Sequence, residues 1–290
     1  MFSKAVAATL LKPSNGRTLI AIPQRLASTG LNQFYIPNRP EEVKFTPKSN
    51  KPKGLSSNHR SEAWTLDEIK KSTEQHVMYT WGATDPMRNA AVPIKRGEGV
   101  YLFDYNGNKY IDMTSQAINN NLGYGIPKPI LDGITNQLQN LHHVYGGLTI
   151  TEPKAKLAQI LSDLTPADIT GFIFPLTGSD ANEVAIRTAR KFTGKSKIMT
   201  RYKSYHGSST GSLTATGDFR RGFAEAGVSG FVKFFDLQAF QFRWGGNQED
   251  SIRNYLAYVE ETIINENPGT IAAIMVETVT GSAGVLFNPP

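Results

Sequence analysis

The stretch FIFPLTGSDANEVAIRTARKFTG, residues 172–194, decides the fold. A short apolar run, 172–174, halts at Pro175, and a helical pattern begins a few residues later, after Thr177-Gly178-Ser179-Asp180. A strand delivered straight into a helix is the half-unit of an α/β sheet. Ala181, Val184, Ala185, Thr188, Ala189 and Phe192 share one face of the expected helix, 179–192, which can then pack on that sheet. Thr177 and Asp180 have capping-box spacing, which explains the polar residues at the turn. Capping leaves Gly178 unexplained. A glycine here lets backbone amides approach a ligand, and Ser179 sets a hydroxyl beside unpaired helix N–H groups, an arrangement suited to phosphate. From these residues alone, a plain cap and a phosphate cradle both stay open.

Downstream, the pattern keeps alternating. Strands are expected at 197–200 and 231–235, a long helix at 250–264, and a buried strand in TIAAIMVET that ends at Glu277. Upstream, helices are expected at about 129–141 and 152–164. Strands that alternate with helices make a mostly parallel α/β sheet, with sites at the carboxyl ends of its strands. Two further strand ends carry suggestive residues. YKSYHG places Tyr205, His206 and Gly207 after the 197–200 strand, where an aromatic ring could stack on a flat ligand. The plain alternative makes Tyr205 a core cap and His206 a surface turn residue. Glu277 ends an apolar strand, and a carboxylate there needs partners, either an ion pair or a site. A phosphate cradle, an aromatic and an acid on three strand ends suggest a planar phosphorylated cofactor.

Nearer the start, TLDE (65–68) is a capping box that opens a helix. GVYLFDYNGNKYIDM (99–113) reads as a hairpin about Asn106-Gly107, since both residues tolerate positive φ. Residues 31–62 are rich in Pro, Lys, Ser and Asn without apolar periodicity, and read as a disordered or extended leader. Lys4, Lys12, Arg17, Arg25 and Arg39 all precede the first acid, Glu41, while Phe2, Val6 and Leu10 would share a helical face. That acid-free, hydroxyl-containing start, 1–30, is expected to be a transit peptide for the mitochondrial matrix.

Composition narrows the class. The 290 residues are 39% hydrophobic and 19% charged, ordinary for a globular protein, and the absence of cysteine excludes disulfides and thiolate metal sites. No apolar run approaches the roughly 20 residues of a membrane span. The net charge of +6 is concentrated in the leader and is not interleaved with aromatics, which argues against a nucleic-acid partner.

Taken together, TGSDANEVAIRTARKFTG, YKSYHGSSTGS and VETVTGSAGVLFNPP resemble the class III aminotransferases of fold type I, which use pyridoxal 5′-phosphate. The segment from MYTWGATDP to NNNLGYG also resembles that family's small-lobe hairpin and following loop. The resemblance covers about 78–290 and implies a small N-terminal lobe, 63–127, and an incomplete cofactor-binding large domain, 128–290. It implies that Gly178 and Ser179 bind the cofactor phosphate, that Tyr205 stacks on the pyridine ring beside His206 and Gly207, and that Glu277 supports the polar network next to it. The loop 119–124 would lie near the substrate entrance. Many glutamate-using members carry a gating Glu where this chain has Ser282, so the pattern resembles the pyruvate-using taurine and ω-amino acid types. The family's ring-nitrogen Asp and Schiff-base Lys fall beyond residue 290, and no lysine follows Lys233. The implied activity is transfer of an amino group from an amine or ω-amino acid to an oxo-acid such as pyruvate or glyoxylate, by a homodimer. The 290 residues alone are expected to be inactive. The alternatives are a same-fold aminomutase or decarboxylase, or a non-catalytic interaction protein derived from the fold.

Overall fold

The structure is a computed structural model that describes residues 10–11, 19–20, 63–79, 89–166, 168–224, 227–239 and 243–288. The expected leader, 31–62, and most of the expected transit peptide lie outside the described residues. The exception corrects one reading: Leu10–Leu11 (β1) pairs antiparallel with Leu19–Ile20 (β2), so Leu10 does not continue a helical face. An isolated short helix is marginal in water, and an amphipathic pattern alone does not hold one. Two compact units divide the chain, Met1–Asn136 and Gln137–Pro290.

In the first unit, α1 (Leu66–His76) begins with the reciprocal capping box of Thr65 and Glu68. The antiparallel strands β3 (Ile94–Glu98), β4 (Tyr101–Asp104) and β5 (Lys109–Ile111) follow in sheet order. Asn106-Gly107 turns β4 into β5, and the buried Asp104 fastens the turn by accepting from the backbone N–H groups of Asn106 and Asn108 at 2.8 Å each. Ser115, Gln116, Ala117 and Ile118 all have φ between 50° and 69°, a left-handed turn without glycine. Tyr124 closes this segment back onto the hairpin, its hydroxyl donating to Asp112 at 2.7 Å and its ring filling the space above Gly97.

Helix α2 (Lys128–Asn140) contains the boundary between the two units. In the second unit, α3 (Glu152–Leu164) and α4 (Gly178–Thr193) lead to a parallel sheet in the order β7-β6-β8, with β6 Lys197–Arg201, β7 Phe231–Phe234 and β8 Ile271–Met275. Among the described residues, the α-helix α5 (Thr210–Ala215) lies between β6 and β7 in sequence and the α-helix α6 (Gln248–Asn265) between β7 and β8. The core sits on the central strand, where Ile198, Met199 and Thr200 are fully buried. An aromatic cluster of Tyr202, Phe235, Trp244, Tyr255 and Tyr258 supports it. All three strands run the same way, so the segments after Arg201, Phe234 and Met275 meet at one carboxyl edge.

Three local expectations are corrected. Residues 172–174 are not a strand, because a strand requires a hydrogen-bonded neighbour and no described strand pairs with them. β8 is half-buried, because it forms an edge of the described sheet, and it ends two residues before Glu277. The buried face of α4 is also rotated from the expected one: Ile186 is buried, whereas Phe192 is 91% exposed. The reason lies in the first two turns of α4, whose inward side chains are Ser179, Asn182 and Glu183. Their partners are polar groups of another loop.

Candidate functional site

Helix α4 starts as its sequence dictates. Thr177 Oγ1 accepts the Asp180 N–H at 3.1 Å and Gly194 ends the helix in the left-handed conformation. The space where a Gly178 side chain would sit is open: among the described residues, no atom beyond its chain neighbours and its own helix backbone comes within 4 Å. Ser179 faces the 204–212 loop. Its Oγ accepts the Ser208 N–H at 3.0 Å, and its carbonyl accepts the Ser212 hydroxyl at 2.9 Å. Gly207, at φ 135°, allows this approach: a Cβ there would stand 2.3 Å from Ser179 Oγ. Since Ser179 Oγ accepts from Ser208, its own proton can be donated outward.

The next turn of α4 continues the seam. Asn182 Nδ2 donates to the His206 carbonyl at 2.6 Å. Glu183 Oε1 accepts the Ser209 hydroxyl at 2.6 Å and the Ser212 N–H at 3.0 Å, which caps the start of α5. Burial pushes the Glu183 carboxyl up, but donation from Ser209, Ser212 and Gly211, with help from Arg187, holds it below the ordinary value. The composition of α4 left this role of Asn182 and Glu183 hidden, although their i, i+3, i+4 spacing from Ser179 was the available signal.

Tyr205 is held at both ends. Its N–H donates to Glu277 Oε1 at 2.9 Å, and its hydroxyl lies 3.3 Å from Ser208 Oγ. Glu277 is held in turn through its carbonyl, which accepts Arg201 Nη2 at 2.5 Å. The same guanidinium donates to Thr280 Oγ1 at 3.3 Å and Asn288 Oδ1 at 3.1 Å, and pairs with Asp236 Oδ2 at 2.9 Å, both charged side chains being buried. Arg201 and Asp236, which end β6 and follow β7, were not apparent from the sequence. Gly178, Ser179, Tyr205, His206, Gly207 and Glu277 therefore stand along one connected edge. Ser282, the expected gate position, meets a side chain of the same unit: its Oγ accepts Arg220 Nη2 at 2.9 Å.

His206 is not a surface turn residue. It is buried at 6% exposure, its N–H donates to Thr216 Oγ1 at 2.9 Å, and its ring Nε2 has no hydrogen-bond partner among the described residues. Loss of water, then Lys233 and Arg201, lowers its pKa to about 4. The imidazole is thus neutral in the folded chain at pH 7 and would charge on unfolding below about pH 6.5. Its contribution is complete above pH 6.5 and lost as pH falls toward 4, a change on the order of 3 kcal/mol. Urea unfolding across that interval is expected to weaken less in His206→Gln than in the parent chain; equal pH slopes would refute the assignment. Lys233, a charged neighbour of this ring, donates from Nζ to Thr200 Oγ1 at 2.9 Å, Thr214 O at 2.5 Å and Ala215 O at 2.7 Å.

A flat anionic ligand fits these groups. The helix start is open at Gly178, Ser179 has a proton to donate, and an unpartnered buried nitrogen stands beside the aromatic loop. Among the described residues no cluster of side chains could hold a metal ion.

The family model "Aminotransferase class-III" matches residues 83–290. The chain belongs to the class-III aminotransferase family. Among its relatives are the acetylornithine aminotransferase of Listeria innocua, 33% identical over 67% of this chain and 44% of the relative, and the hypotaurine/taurine–pyruvate aminotransferase of Paracoccus denitrificans, 31% identical over 67% and 43%. A solved taurine:2-oxoglutarate aminotransferase from Bifidobacterium kashiwanohense, in complex with pyridoxal phosphate and glutamate, is 34% identical. It superposes with a TM-score of 0.72 over 79% of this chain and 51% of that one. This class-III aminotransferase chain thus spans about half the length of the relatives it matches, and the fold type I assignment holds for its α/β architecture.

Proposed function

We propose that this chain carries the phosphate- and ring-binding part of a pyridoxal phosphate-dependent transaminase, which moves an amino group from an amine or ω-amino acid to an oxo-acid such as pyruvate or glyoxylate. The observation that carries the reading is the contact of Ser179 with the Gly207-Ser208 backbone, which sets the start of α4 against the loop bearing Tyr205. When bound, pyridoxal phosphate supplies the electron sink for cleavage at the amine carbon. The chain's own residues hold and orient it. Backbone amides at Gly178 and Ser179, with the Ser179 hydroxyl, would hold the phosphate. Tyr205, fixed by Glu277 and Ser208, would offer its ring as a stacking platform, with neutral His206 next to it adding no charge. A neutral hydroxyl at Ser282, in place of a carboxylate, supports the pyruvate or glyoxylate acceptor. Pairing of two copies into a homodimer follows from the family resemblance.

Equilibrium binding of pyridoxal phosphate to the 290-residue chain tests the reading. Ser179→Ala is expected to weaken it about tenfold, the loss of one charge-assisted hydrogen bond. Unchanged affinity in that variant would remove Ser179 from the phosphate site.

A further inference from the structure

One charged side chain at this edge has no role in the reading above. The Arg220 guanidinium lies 3.8 Å from the centroid of the Tyr205 ring, close enough for a strong cation–π contact. It is itself held on two sides. Nε donates to both Asp218 oxygens, at 3.1 and 2.9 Å, and Nη2 completes the ion pair with Asp218 while also donating to Ser282 Oγ at 2.9 Å. Asp218 is anchored in turn, its N–H donating to the Ser204 carbonyl at 3.1 Å. The loops after β6 and β8 are therefore fastened to each other through one planar cation whose central carbon stands over the Tyr205 ring.

A tyrosine ring has two faces, and here the guanidinium occupies one. We propose that Arg220 is a positioning residue that backs the Tyr205 platform for the cofactor ring, and that Ser282 tethers this cation. This rests on the pyridoxal phosphate reading and changes the part given to position 282. In this chain the hydroxyl there holds an arginine of the same unit in place behind the aromatic ring. Lysine could not take the role unaltered, since it lacks the planar fork that meets Asp218, Ser282 and the ring together.

A binding series on the 290-residue chain separates the possibilities, with pyridoxal 5′-phosphate and inorganic phosphate as the two probes. Arg220→Gln is expected to weaken pyridoxal phosphate binding about fivefold and to leave inorganic phosphate binding unchanged, because the effect travels through the ring platform. Arg220→Lys should fall between the two. Ser282→Ala, which leaves every charge in place, should shift pyridoxal phosphate binding in the same direction by a smaller factor. In a Tyr205→Leu background, Arg220→Gln is expected to cost nothing further. Equal losses in both backgrounds, or a parallel loss of phosphate binding, would overturn the positioning role. If the parent chain binds both probes and Arg220→Gln binds pyridoxal phosphate as tightly, the Arg220 proposal alone fails. If the parent chain binds neither probe, the cofactor reading fails and takes this proposal with it.

Discussion

Replacing Arg201 with Met is expected to cost about 3–5 kcal/mol of stability, the largest loss from any single exchange at this edge. The reason is Asp236, whose side chain is 1% exposed and whose charge is met by Arg201 at 2.9 Å. Without the guanidinium, the carboxylate has to remain charged and unpaired in the core or take up a proton, and both are costly. The loss extends beyond the pair, since Arg201 also holds the Glu277 carbonyl and the Thr280 and Asn288 side chains. Urea denaturation followed by tryptophan fluorescence measures it. The double exchange Arg201→Met with Asp236→Leu should regain a large part of the loss, because well-packed apolar groups often replace a buried pair without penalty. If Arg201→Met alone unfolds with the parent's midpoint, the pair does not hold the sheet edge together.

Gly207→Ala is expected to have the second largest effect, and to act on folding and binding at once. The backbone at φ 135° is disfavoured for any residue with a side chain, and the added carbon would stand 2.3 Å from Ser179 Oγ and 2.9 Å from the Cβ atoms of Ser179 and Ser212. Backbone strain of about 1–3 kcal/mol and overpacking of similar size follow. The seam between α4 and the Tyr205 loop must then open, which moves the Ser179 hydroxyl away from its place. Thermal unfolding should drop, and inorganic phosphate binding should weaken at least about tenfold. A variant that keeps both the parent's melting temperature and its phosphate affinity would show that the tight approach is unnecessary.

These two exchanges also mark how far the sequence could be read. The start of α4 was legible because its signals are local: Thr177 and Asp180 make the cap, and Gly178 is unexplained by capping. The hairpin at Asn106-Gly107 and the capping box at Thr65 were legible for the same reason. What escaped depends on partners distant in the chain. Residues 172–174 have strand composition but no described neighbour to pair with, and composition cannot supply a neighbour. The apolar residues of α4 point to one face, whereas the helix meets the 204–212 loop with Ser179, Asn182 and Glu183. For His206 the sequence leaves a surface turn and a place beside the cofactor ring both open, and its burial depends on contacts such as that with Thr216. Arg201 ends β6 and Asp236 lies just after β7, and only the parallel register brings the two charges together.

The threefold engagement of Lys233 limits the covalent chemistry open to these residues. An amine condenses with a carbonyl only as the free base, and this ammonium would have to shed a proton already directed at Thr200, Thr214 or Ala215. No covalent bond to an aldehyde is therefore expected at Lys233. A pyridoxal compound resting there should wash out on dialysis, and borohydride should leave no reduced adduct on that side chain.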